Sequence, residues 1–436
     1  MWKKVVTTLL LALLLLTFSS ARRSTPKNVP TLMSVHLVDR NGFAETVTNR
    51  ERLKQFQATD FFQSQPYQKT LRIYTRDAKG NVRSYANSYH PNGNVKQYIE
   101  ILNGRAHGTY KEWHENGQPS VSAHVIGGMP DLTSAAESSW LFDGLSEAWD
   151  DNGNLIAQIH YAQGVLEGTS LYYHPSGQIW KSIPYQKGEA NGTADIFKKN
   201  GELLQQINFC QGNKEGQATR FWSQEQMASL EEYTAGKLLH GQYFDKSGAL
   251  LAEVKDGMGL RAVFGEERVK ELQEIQDGIL EGRVQVFNEA GELLRLYHVH
   301  DKIKDGVETE YYSPSKTKIK TLSASNEPQP RLSFIWHEGK IQGVVRTWYA
   351  SGVMESQKEM SHNKKHGMST VWYQDGSLMM IEEYEQGKLI RGDYFSKEDK
   401  LPVSQIIQGK GTAMLFDPQG RMLQKIPYLN GKPDTH

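Results

Sequence analysis

The chain has one cysteine, Cys210, in 436 residues. A lone thiol excludes an intrachain disulfide framework and any multi-cysteine zinc site. It also lacks an excess of either charge, because 50 basic side chains meet 50 acidic ones. No global field therefore draws it to nucleic acid or to an anionic membrane. Signatures of a metalloprotease helix, a nucleophile elbow and a phosphate-binding loop are all missing, and Gly257-Met-Gly259 has too few glycines for a dinucleotide fingerprint. The chain thus reads as non-enzymatic, with no catalytic, cofactor-binding or metal-binding residues assigned. Disorder is not expected either, since 38% hydrophobic and 23% charged residues are ordinary for a folded protein.

One apolar run does stand out, at residues 5–18, behind Lys3 and Lys4 and ahead of Ser19-Ser20-Ala21. A short positive start, an apolar middle and small residues at a cleavage point make residues 1–21 a signal peptide, cut after Ala21. The run is short for a membrane span of ~20 residues. The expected location is outside the cytoplasm: periplasm, cell envelope or secreted. Membrane attachment follows only if the segment stays uncleaved.

What the chain has in quantity is glycine at fixed spacing. A turn-like motif of the form aromatic-x-x-x-Gly ends at Gly93, Gly117, Gly153, Gly177 and Gly201, and again at Gly248, Gly291, Gly352, Gly376 and Gly420. Spacings of 24 recur, from 93 to 117, 153 to 177, 177 to 201 and 352 to 376. Eleven residues further on stands a second glycine, as at Gly104, Gly188 and Gly387, with Asn363 in its place once. Glycine, and next to it asparagine, tolerates the positive φ of hairpin turns. The stretches between are alternating and rich in strand formers. Each repeat therefore holds two strands and two turns.

Four residues before the reference glycine sits an aromatic, from Tyr89 and Trp113 to Trp372 and Phe416; Trp222, Tyr312 and Phe395 fill that position in degenerate copies. Equivalent positions in successive hairpins share a face, so these rings form a ladder that supplies a core. Neighbouring aromatics, as in Trp348-Tyr349 and Trp372-Tyr373, point to opposite faces. Tyr172, Trp222, Tyr349, Trp372 and Tyr373 are accordingly the candidate binding rings.

The expected fold is all-β: an elongated single-layer antiparallel meander of stacked ~24-residue hairpins with a small N-terminal cap. Its divisions are a linker at 22–35, a capping segment at 36–83 with a short helix near residues 48–56, and the hairpin array at 84–436. Two excesses break the period, near 129–139, where a helical turn opens at Asp131, and near 322–331, a Pro/Ser-rich loop. Insertions of this kind often carry specificity. Histidines at fixed repeat positions, such as His90 and His114, read as structural. His298-x-His300 places two imidazoles on one strand face, a metal pair without an evident third ligand.

The pattern Gly188-x3-Gly192, Phe197-x2-Asn200-Gly201-x-Leu203, Phe209-x2-Gly212 resembles the bacterial variant of the MORN repeat, whose members are grouped with the YwqK-type antitoxin family. The resemblance recurs over residues 84–436. It implies a sheet of stacked hairpins, and a role in binding a protein, a toxin in the antitoxin case. It carries over no catalytic residues. Three functions follow: an exported scaffold for an unidentified protein partner, a cell-wall glycan binder working through exposed ring columns, and an antitoxin-like inhibitor.

Overall fold

The computed structural model describes residues 31–313, 328–397 and 399–434. The signal peptide, most of the 22–35 linker, and residues 322–327 of the second insertion lie outside them. Regular structure among the described residues is nearly all strand, 63% of them against 3% helix; every pairing is antiparallel, and successive strands pair by hairpins. The described residues form two compact units, divided between Ile179 and Trp180.

The first kind of turn contains the reference glycine. At Gly153, Asp150 N–H donates to Asn154 O and Gly153 N–H returns to Asp150 O, at 2.9 and 3.0 Å. The Asp150 carboxylate accepts the N–H groups of Asn152 and Asn154 and locks the loop. All ten reference glycines have φ between 80 and 95°. At the other end of each hairpin is a two-residue turn with both φ positive, such as Asn103-Gly104 at 50° and 74°. That is the mirror-image turn whose twist matches paired strands. Asn363 takes the glycine place with φ 66°, and at Asp301-Lys302 a lysine takes it with φ 67°.

In the first unit the same loop closes at Gly42 and Gly80, inside the segment read as a cap without repeats. There, Leu32–Asp39 pairs with Ala44–Val47 and with Tyr67–Arg76. The strand begins at Leu32, inside the expected linker, because Leu32, Val35 and Leu37 are buried against Val47 and Leu53. Leu53 comes from a helix, Arg50–Ala58, capped by Asn49. The first insertion contributes to the core: Ala136 is buried and Leu132 packs against the neighbouring cluster, while Met129 and Ser134 stay exposed. Its helical turn is Ser134–Glu137, capped by Thr133, three residues later than the sequence suggested. It delivers Trp140, buried against Tyr110 with ring centres 4.7 Å apart, and Trp140 Nε1–H donates to Met129 O. Asp131 pairs with Lys69 instead of opening the helix.

The second unit shows how a single layer acquires an interior. Arg220, in the strand Asn213–Ser223, donates at 2.7 Å to the carbonyl of Gly265, just past the end of Met258–Phe264, although three strands lie between the two. Two-residue turns also bond one another: Leu238 N–H donates to Gly278 O, and Gly278 N–H to Gly257 O. The sheet therefore curls locally. Trp222, Tyr243 and Phe264 meet on the concave side. A second curl recurs at Leu389, Gly409 and Gly431 around the fully buried Tyr394.

Candidate functional site

The candidate rings are held by one recurring contact. The side chain next to the ladder aromatic donates to the backbone carbonyl of the ladder aromatic in the following hairpin. Tyr349 Oη reaches Trp372 O, and Tyr373 Oη reaches Phe395 O, both at 2.7 Å. Trp222 Nε1–H reaches Phe244 O at 3.0 Å. His90 and His114 place Nε2 within 2.8 and 2.9 Å of Trp113 O and Trp149 O, and Lys198 donates to Trp222 O, one residue beyond Phe221.

This arrangement corrects the binding-ring assignment. Trp222 and Tyr349 are 8% exposed and Tyr373 is fully buried, so none offers a face to a sugar. Tyr172 and Trp372 are half-buried. Trp222 and Tyr312 also sit one position later than their spacing suggested. Ser223 pairs directly with Gln226, so that turn holds two residues rather than three, and Phe221, opposite Met227, takes the ladder position. Tyr312 likewise donates to Trp348 O, the role of Tyr349 and Tyr373. Cys210 is exposed at the end of its strand.

The histidine pair does not converge. His298 Nδ1 lies 3.2 Å from Val307 O, while His300 Nδ1 lies 2.5 Å from Glu281 Oε1. Glu281, His300 and Asp301 are close enough to share an ion. Glu281 already has a structural duty there, because its Oε2 accepts the N–H of Asp301 at the start of the next turn. Glu215 does the same for Ala235, and Asp143 for Gln163.

Sequence reasoning missed a buried polar core in the second unit. Glu231 is 3% exposed and accepts hydrogen bonds from Tyr233, Tyr243 and Arg261 Nε at 2.8, 2.9 and 2.8 Å. Burial raises its pKa, but the charge and hydrogen bond of Arg261 and the hydroxyl of Tyr233 hold it below the ordinary carboxylate value. Lys214 Nζ donates to Tyr233 Oη and lies over its ring. The constellation recurs with Glu382, Tyr384, Tyr394 and Lys365. There the residue two beyond the strand glycine is Ala413, where Arg261 follows Gly259. Glu308, equally buried, accepts from Lys304 and Trp336. Spacing could have flagged the duplication, since Lys214, Glu231, Tyr233 and Tyr243 recur in order as Lys365, Glu382, Tyr384 and Tyr394.

Two clefts open on the second unit. One, of about 580 Å³, has an apolar floor of Trp222, Leu251, Val269, Leu272 and Phe287. Its rim carries Asp245, Lys246, Glu267 and Arg268, with Lys246 and Glu267 ion-paired. The other, of about 420 Å³, is lined by Lys214, Tyr233, Arg261 and Lys302 on its polar side. Leu238, Ile275, Leu280 and Val299 form its apolar side. No helix among the described residues is long and apolar enough to cross a membrane.

The repeat is that of a known class. The MORN repeat variant matches residues 106–125, 142–163 and 166–187. Three hairpins of this repeat protein thus carry the MORN repeat variant, a repeat that suggests protein binding or scaffolding. Among curated proteins none matches. Two solved structures are similar in part. The Photorhabdus luminescens Tc holotoxin pore is 11% identical, with 90% of this chain and 24% of that chain covered and a TM-score of 0.15. The TcdB2-TccC3 structure lacking its hypervariable C-terminal region is 12% identical, with 83% and 23% covered and a TM-score of 0.13. The chain spans about a quarter of their length. Scores this low carry no functional argument.

Proposed function

We propose that this chain is an exported, non-enzymatic scaffold that captures a protein partner in the cleft floored by Trp222 and Leu251. The observation that carries the reading is the make-up of that cleft. Apolar side chains from successive hairpins meet at its floor, and charges of both signs rim it. An apolar anchor ringed by polar groups is how protein interfaces are built. Leu251 is 44% exposed and stands ready to receive a partner side chain. Export rests on the N-terminal pattern of residues 1–21. Antitoxin-like inhibition is one form that partner binding takes. The glycan reading loses support, because the rings it requires are buried or half-buried.

The test compares the full chain with Leu251→Asp in capture from envelope extracts. The expected result is a protein retained by the native chain and lost with the variant, with both chains melting at the same temperature. Equal retention by both, or retention of glycan alone, would overturn the reading. Export is checked separately: the mature protein begins at Arg22, and a cytoplasmic protein beginning at Met1 contradicts it.

A further inference from the structure

The second cleft is built unlike the first. Lys214, Arg261 and Lys302 all line it, and no carboxylate does. Glu231 is bonded to Arg261 Nε and also attracts Lys214, but one carboxylate, engaged by Tyr233, Tyr243 and Arg261, faces three cations. The terminal nitrogens of Arg261 bond no other described residue. Lys214 bonds the Tyr233 hydroxyl alone, at 3.3 Å, and Lys302 has no partner among the described residues. Like charges gathered in a half-buried cleft repel one another, and burial together with Arg261 lowers the basicity of Lys214 despite the opposing pull of Glu231. An anion would relieve that cost.

Lys302 supplies a second, independent sign. It occupies the second position of a two-residue turn at φ 67°, where Gly104, Gly164, Gly236 and Gly278 stand in other copies. A lysine is disfavoured in that conformation. Strained residues of this kind collect where a side chain has a task beyond the fold. Arg261 is a comparable departure. At the same place, two beyond the strand glycine, other hairpins bury Ala194, Ala218, Val284 and Ala413, and also Tyr110, Ser170, Ser369 and Glu308; Arg261 is the one cation among these. Both departures from the repeat add a cation, and both add it to one cleft.

We propose that this cleft binds a small organic carboxylate with a hydrocarbon body. The planar guanidinium edge of Arg261 fits a carboxylate in two-point contact. Lys214 and Lys302 supply further positive charge. The walls of Leu238, Ile275, Leu280 and Val299 would lie poorly against a fully hydrated anion but well against a short alkyl chain. This assignment does not depend on the partner cleft.

The experiment is calorimetric titration of the full chain with octanoate, inorganic phosphate and neutral octanol, repeated with Lys302→Gly and Lys214→Met. Octanoate is expected to bind saturably at one site, with phosphate and octanol at least about tenfold weaker. Lys302→Gly should weaken octanoate about two- to fivefold, the range of a solvent-exposed ion pair. The same change should raise the melting temperature, because glycine is what the neighbouring turns carry, so lost binding cannot be blamed on unfolding. Lys214→Met, which keeps an apolar stem over Tyr233, should weaken octanoate about tenfold. No saturable heat with octanoate, phosphate binding as tightly as octanoate, or unchanged affinity in both variants would each overturn the assignment.

Discussion

The hydroxyl of Tyr373 donates to the backbone carbonyl of Phe395 in the next hairpin, 2.7 Å away, and Tyr373 is fully buried in doing so. One side chain thereby fastens two hairpins that local sequence alone would leave as neighbours on a ribbon. Tyr373→Phe keeps the ring and removes the donor, and should cost about 1 kcal/mol, the usual net worth of such a bond. Tyr373→Ala should cost about 3–5 kcal/mol, because a cavity is added. Denaturant unfolding of both variants separates the bond from the packing.

Alkali should act on the links of Tyr349 and Tyr373, and on the buried hydroxyl of Tyr89, which donates to Phe61 O. The hydroxyls of Tyr89, Tyr349 and Tyr373 are pushed up to about 12. Burial is the main cause in each; for Tyr373 the carboxylates of Asp375 and Asp417 add to it. A tyrosine raised in the folded state contributes stability that is complete below pH 10. That contribution is lost as pH climbs toward 12, because the unfolded chain ionises first. Melting temperature should fall across that window, and phenolate absorbance should rise with unfolding rather than before it.

Acid should find the buried pair instead. Burial opposes ionisation of Glu231, and Arg261 overrides it, so the folded pKa lies below the ordinary carboxylate value. The resulting stability is complete above that value and disappears as pH falls below it. Glu231→Gln should remove this part of the acid sensitivity. It should also cost about 3 kcal/mol at neutral pH, since Arg261 is left without its counter-charge. Glu382→Gln should cost less, because its nearest cation, Lys365, stands 3.9 Å away.

The glycines are not equivalent. At Gly376 a Cβ would meet nothing within 4 Å, so alanine suffers only from φ 86°. Gly376→Ala should cost about 1–2 kcal/mol. At Gly411 a Cβ would lie 2.3 Å from the backbone oxygen of Gln405, and φ is 147°. Gly411→Ala should cost about 3 kcal/mol or more. Thermal unfolding of the two variants side by side checks the order.

Much of this was legible in the sequence, and the boundary is physical. Positive φ demands glycine or asparagine, so the turns at Gly93 through Gly420, and the exception at Asn363, could be read directly from spacing. The inside of the curl could not. Glu231 follows leucine and precedes a second glutamate, which reads as a solvated strand; its burial depends on Arg261, thirty residues away. Facing was also lost wherever a loop shortened. The two-residue turn at Ser223–Gln226 moved Trp222 from the ladder into the clamp position. The first insertion read as a site of specificity because its contact with Tyr110 is made by Trp140, just past the irregular stretch.

The cleft floored by Trp222 and Leu251 is where the functional account stands or falls. A photoreactive residue placed at Leu251 in the cell, with Leu401 as the exposed control, tests it most directly. A discrete protein adduct at position 251, missing at 401, is the expected result. Identical adducts at both positions, or none at 251, would contradict a partner-binding scaffold.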